Sequence, residues 1–100
     1  MVSVIARHAR VTGRVQGVFF RQWTKQQADQ LAVKGWVRNC PDGSVEAHVE
    51  GDEPAVGALI GRMRRGPPAA EVAELISNPC EPAGASVFEV KRSTSPRRSS

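Results

Sequence analysis

A chain of 100 residues, 40% of them hydrophobic, supports one domain with a single modest core. That size excludes a deep cleft between lobes, so any site is a shallow surface feature suited to a small ligand. The formal net charge of +4 points to an anionic partner. However, Arg97 and Arg98 lie in a polar terminal stretch, and without them 12 basic residues face 10 acidic ones; a nucleic-acid domain usually shows a denser basic patch, and the charge fits a small anionic substrate at least as well.

The first six residues are apolar but too few for a signal peptide, and Arg7 ends the run. No apolar run approaches the length of a membrane span. Residues 7–15 alternate, with Ala9, Val11, Gly13 and Val15 on one face and His8, Arg10, Thr12 and Arg14 on the other. This predicts a half-buried strand. Gly17 supplies the freedom for a turn. Residues 20–34 contain neither Gly nor Pro and predict a helix, with Phe20, Trp23, Ala28 and Leu31 inward and Gly35 as its stop. A hairpin follows: a short strand over 35–39, a turn at Pro41-Asp42-Gly43, and a return over 44–50. On the return, Val45, Ala47 and Val49 alternate with Glu46, His48 and Glu50, so the register is well specified.

Asp52 reads as the N-cap of a second helix with Pro54 in its first turn. Val56, Leu59, Ile60 and Met63 form its buried stripe, and Arg62, Arg64 and Arg65 end it at the negative pole of the dipole. Gly57 and Gly61, each weakening the helix by about 1 kcal/mol relative to Ala, are expected to permit close packing on the sheet. A fourth strand over 71–76, a loop over 78–84 and a short last strand over 87–91 complete the pattern. The polar residues beyond Arg92 lack core side chains and read as a disordered basic tail, so that 1–92 form the domain and 93–100 the tail.

The element order predicts an α+β, ferredoxin-like βαββαβ sandwich. Two helices pack on one face of a four- to five-stranded, mainly antiparallel sheet. The other face is expected to be open to water, carrying His8, His48, Glu46 and Glu50 as solvated side chains. Cys40 and Cys80 form neither a disulfide framework nor a spaced metal motif. One bridge between them is possible in principle, but two reduced thiols are the expectation.

The most informative stretch is Gly13-Arg14-Val15-Gln16-Gly17-Val18-Phe19-Phe20-Arg21. A short loop entering a helix presents backbone N–H groups without intrahelical partners, with the helix dipole behind them, and welcomes an anion. Arg21 stands in the first turn, where the dipole disfavours a cation. A bound phosphate gives it a reason to be there, since the guanidinium fork matches two phosphate oxygens. From the residues alone, a tight turn with a solvated arginine stands level with that reading. Asn39, before Pro41-Asp42-Gly43, reads from spacing alone as a turn cap. No Ser-His-Asp or Cys-His set stands out, and His8 and His48 have no carboxylate or Cys at metal-ligand spacing. Trp23 and Trp36 read as packing residues, and Cys40 as a bystander near the site.

The stretch 13–21 closely resembles the first signature of the acylphosphatase family. Gly35-Trp36-Val37-Arg38-Asn39 followed by Asp42-Gly43-Ser44-Val45-Glu46 resembles the second. Gly51, the helix after it, and Gly66-Pro67 fall where the family places them, so the resemblance covers residues 7–90. It implies hydrolysis of the carboxyl–phosphate anhydride of acyl phosphates, without metal or cofactor. Arg21 would bind the phosphoryl group with the loop of Val15, Gln16, Gly17, Val18, Phe19 and Phe20, and Asn39 would orient the water. The expected partners are an acyl phosphate substrate and inorganic phosphate or sulfate as product-like ligands, and the expected form is a cytoplasmic monomer. Two alternatives remain. One is an RNA-binding sheet, which would need aromatics exposed on the central strands. The other is a detached domain of a larger carbamoyl-phosphate-handling enzyme.

Overall fold

The computed structural model describes residues 3–92; the expected tail over 93–100 lies outside them. Five strands, β1 (Val4–Arg14), β2 (Lys34–Asn39), β3 (Val45–Asp52), β4 (Glu71–Cys80) and β5 (Phe88–Val90), form one sheet in the order β4-β1-β3-β2-β5. All neighbours are antiparallel except β2 and β5, which run parallel. Helices α1 (Phe20–Leu31) and α2 (Glu53–Arg65) cover one face. This is the expected ferredoxin-like sandwich.

The alternation on β3 does what its period demands. Val45, Ala47 and Val49 are fully buried against Val56, Leu59 and Met63 of α2 and Phe20 and Ala28 of α1. Burying a Val or Leu contributes about 1.5–3 kcal/mol, so this continuous apolar layer, not helix propensity, holds the helices down. Thr24 is buried among them and donates its hydroxyl to the Phe20 carbonyl at 2.8 Å.

Several boundaries differ from the sequence-based expectation. The first helix stops at Leu31, short of Lys34, because Ala32 adopts a left-handed conformation (φ 59°) and its N–H caps the Ala28 and Asp29 carbonyls. Gly35 is therefore inside β2 and not a helix stop. Its φ is +136°, and a Cβ there would lie 1.8 Å from the His48 carbonyl oxygen, so close strand approach is what requires glycine. Val15 lies just past the end of β1, in the following loop, and remains buried. The fourth strand continues past Ile76 to Cys80, through Asn78 and Pro79, which were expected in a loop. Pro79 is tolerated because β4 is an edge strand. Asp52 takes the N-cap position of α2, but its side chain makes no capping hydrogen bond. Gly57 and Gly61 are exposed with open space where a Cβ would stand, so they do not serve close packing.

The outer face is more structured than a wet strand surface. His8 Nε2 lies 2.6 Å from Glu46 Oε2, and Arg38 donates to Glu46 at 2.8 Å. The pairing follows from register, since His8 faces His48 and both Arg10 and Arg38 face Glu46 across β3. Burial by itself pushes the Glu46 carboxyl up, but the hydrogen bonds from His8 and Arg38 outweigh it and the group titrates below the usual Glu range. Glu50 is only 3% exposed. Its carboxylate lies 2.6 Å from His48 Nε2 and accepts backbone N–H bonds from Ala83, Gly84 and Ala85. The β4–β5 loop thus folds over this end of the sheet, and Ala6 on the same face is buried with it. Trp36 also lies on this side, outside the apolar core. Its ring stacks on His48 and carries Arg38 and Lys91 at 5.0 and 4.9 Å. Trp23, as expected, packs against the core beside Phe20.

Candidate active site

An open cleft of about 470 Å³ lies at the N-terminal end of α1. Val15, Gly17, Phe19 and Phe20 bound it from the loop, Arg21 and Gln22 from the helix, and Asn39 and Val90 from the sheet. The loop owes its path to two left-handed residues, Gly17 (φ +74°) and Phe19 (φ 61°), which wrap the chain back on itself before the helix begins. Val15 anchors it in the core at 1% exposure. Phe19 occupies the N-cap and offers no side-chain cap, and the first helical bond runs from the Trp23 N–H to the Phe19 carbonyl at 2.9 Å. The N–H groups of Phe20, Arg21 and Gln22 have no partner earlier in the helix, so the first turn presents donors and the positive end of the dipole to the cleft.

Arg21 reaches across to the residue after β5, where Nη1 donates to the Lys91 carbonyl at 2.8 Å. Lys91 is held in turn, its N–H donating to the Val37 carbonyl at 2.8 Å. One arm of the guanidinium is thereby fixed, and its other donors are left for a ligand. Among the described residues no carboxylate stands within ion-pair distance of Arg21. Asn39, at the end of β2 opposite Val45, shares the same cleft. Its Oδ1 is the one side-chain polar atom among the described residues that is buried without a hydrogen-bond partner. The cleft therefore combines an arginine without an acidic partner, the unpaired N–H groups of a helix start and the Asn39 amide side chain, groups able to hold an anion and orient a water.

The loop and the hairpin are joined by Gln16. Its Nε2 donates to the Cys40 carbonyl at 2.9 Å and to the Ser44 carbonyl at 2.8 Å. Both amide hydrogens are used, so the side chain is a clamp between the loop before α1 and the turn that follows Asn39. The turn itself is tight. The Cys40 N–H donates to the Ser44 carbonyl at 2.9 Å, and Asp42 accepts from the Ser44 hydroxyl at 2.6 Å and from its N–H at 2.9 Å. Those two bonds, with a contact from Arg10, hold the Asp42 carboxyl down to about 2.

Residues 7–90 match the family model for acylphosphatase. The chain belongs to the acylphosphatase family. It is 50% identical over 91 residues to an acylphosphatase of Acidiphilium cryptum, covering 91% of this chain and 99% of that one. An acylphosphatase structure from Coxiella burnetii superimposes with a TM-score of 0.85 at 33% identity, covering 88% of this chain and 93% of the other. One from Bacillus subtilis gives 0.85 at 32%, covering 87% and 98%. Membership of this family makes the chain a hydrolase of acyl phosphates, a class of small-molecule substrate that suits a shallow cleft.

Of the residues expected at the site of this acylphosphatase, Arg21, Asn39, Val15, Gly17, Phe19 and Phe20 line the cleft together. Val18 lies on the adjoining surface instead, and the Gln16 side chain is occupied by the hairpin. Two lining residues were missed. Gln22 follows Arg21 in the first helical turn, so its position could have revealed it. Val90 comes from β5, and nothing local in the sequence signals that this strand docks beside β2. His8 and His48, expected as solvated side chains, are each set by register beside a glutamate. Cys40 and Cys80 are free thiols. Cys80 approaches His48 Nδ1 at 3.6 Å, and burial, with Glu50 and Glu81 nearby, pushes its thiol up. No helix among the described residues is long and apolar enough to cross a membrane.

Proposed function

We propose that this acylphosphatase binds the phosphoryl group of its substrate in the cradle of the 15–20 loop and Arg21, and orients the attacking water with Asn39. The observation that carries this reading is the meeting, in one cleft, of an arginine without an acidic partner among the described residues and the Asn39 side chain.

The chemistry needs little more. An acyl phosphate expels a carboxylate whose conjugate acid has a pKa of about 4, so the leaving group needs no general acid. Phosphoryl transfer asks mainly for positioning and for stabilisation of charge on the equatorial oxygens, which loop N–H groups and the guanidinium supply. Asn39 is neutral and serves orientation only; the proton lost by water passes to a phosphate oxygen. Phosphate monoesters have poor leaving groups that this cleft has no acid to protonate, so phosphoserine peptides are turned over far more slowly than acetyl, carbamoyl or benzoyl phosphate. Inorganic phosphate or sulfate occupies the same cradle as a product-like ligand. Two free thiols suit a reducing, cytoplasmic setting.

Hydrolysis of benzoyl phosphate in EDTA, with Arg21→Ala alongside, tests the reading. Rapid turnover lost in the variant is the expected result. Phosphate binding that survives Arg21→Ala unchanged places the cradle elsewhere.

A further inference from the structure

Beside the cleft lies a second hollow, of about 410 Å³, between the first turns of α1 and the segment that follows α2. Val18, Phe19, Gln22, Trp23, Pro67 and Pro68 line most of it, and no charged side chain does. Phe19 and Gln22 line both this groove and the catalytic cleft, whereas Asn39 and Val90 line only the cleft. The two spaces meet around Phe19.

Phe19 is unusual on two counts. It is 83% exposed, so it is not there to fill the core. It also sits at φ 61°, a left-handed conformation that a bulky aromatic residue rarely adopts and that Gly or Asn takes with less strain. The fold holds a large apolar ring out in solvent at the rim of the site.

We propose that this groove is the subsite for the acyl group, and that Phe19 is the residue through which the enzyme favours aromatic and other bulky apolar acyl phosphates. This rests on the phosphoryl-cradle reading above. In an in-line displacement the attacking and leaving oxygens stand on opposite sides of phosphorus. The carboxylate departs opposite the water held at Asn39, and Phe19 and Gln22, which line cleft and groove alike, join the two spaces away from Asn39 and Val90. An apolar acyl group leaving the cleft in that direction covers the Phe19 ring and enters a neutral hollow. An acyl group bearing its own charge finds no partner there, and its desolvation is uncompensated.

The test compares kcat/KM for benzoyl and acetyl phosphate in wild type, Phe19→Ala and Ala69→Glu. Ala69 lines the far part of the groove and is exposed, so a glutamate there charges the subsite without touching the cradle. Wild type is expected to favour benzoyl phosphate by about tenfold or more, and each variant to lower that ratio by about fivefold, mainly through KM for benzoyl phosphate. If Phe19→Ala lowers both substrates together, Ala69→Glu decides. A ratio that stays at the wild-type value in Ala69→Glu overturns the subsite and leaves the groove to another occupant. Wild-type protein that is folded yet hydrolyses neither substrate overturns the cradle reading itself, and the subsite with it.

Discussion

Replacing Glu50 with glutamine keeps the shape of the side chain but removes its charge and turns one acceptor oxygen into a donor. In the structure Oε2 lies 2.6 Å from His48 Nε2 and 2.7 Å from the Ala83 nitrogen, while Oε1 accepts more weakly from Gly84 and Ala85 at 3.2 and 3.3 Å. Hydrogen bonds to a charged group contribute about 1.5–3 kcal/mol each. Only the two short ones count in full, and the Ala83 N–H sits on an exposed loop that can turn to water. A loss of about 2–3 kcal/mol is expected, or roughly 10–20 °C in Tm for a domain of this size.

The pH dependence has a defined sign. Burial alone raises the Glu50 carboxyl, but the bonds from Ala83, His48 and Ala85 outweigh it, so the folded-state value is depressed. The contribution is therefore fully present above the unfolded value of about 4.3 and is lost as pH falls through the folded one. Urea unfolding of wild type and Glu50→Gln at pH 7, 5 and 3.5 should show a gap that narrows in acid. Activity at 25 °C should hold, because Glu50 lies about 17 Å along β3 from Val45, the residue facing Asn39. A variant within about 0.5 kcal/mol of wild type at pH 7, or a gap that widens in acid, refutes the idea that this carboxylate latches the β4–β5 loop.

Three further outcomes are expected. Gly35→Ala places a Cβ against the His48 carbonyl at a strained φ and should cost about 3–5 kcal/mol; chemical denaturation within 1 kcal/mol of wild type contradicts the close approach. Gln16→Leu should lower kcat by about tenfold or more even well below its Tm, because the loop and hairpin lose their tie. A variant with reduced Tm but unchanged kcat makes Gln16 a stability residue only. Asn39→Ala should reduce kcat by about 10²–10³ while leaving thermal stability unchanged or slightly higher, since it removes an unsatisfied buried oxygen; a large drop in Tm would show that Asn39 is structural.

The local features of this protein were legible because they are periodic or compositional. The Val45-Ala47-Val49 alternation and the Val56-Leu59-Ile60-Met63 stripe each specify a face without reference to any distant residue, and the structure buries both sets. The loop into α1 and its cationic first turn were legible for the same reason, since helix ends carry unpaired N–H groups wherever they occur. Asn39 was not legible on physical grounds alone. Before a Pro-Asp-Gly turn it reads as a cap, and only the family signature marked it. Tertiary structure decided what depends on register and long-range docking. Arg21 is fixed by a carbonyl 70 residues away, and Gln16 ties two loops 24 to 28 residues apart. Glu50, read as a wet strand residue, is buried because the β4–β5 loop returns over it, and an alternating pattern tells which face a side chain occupies but not what later covers that face. Period is encoded in each segment by itself, whereas the meeting of loop, strand end and helix that makes the site exists only once the sheet has paired.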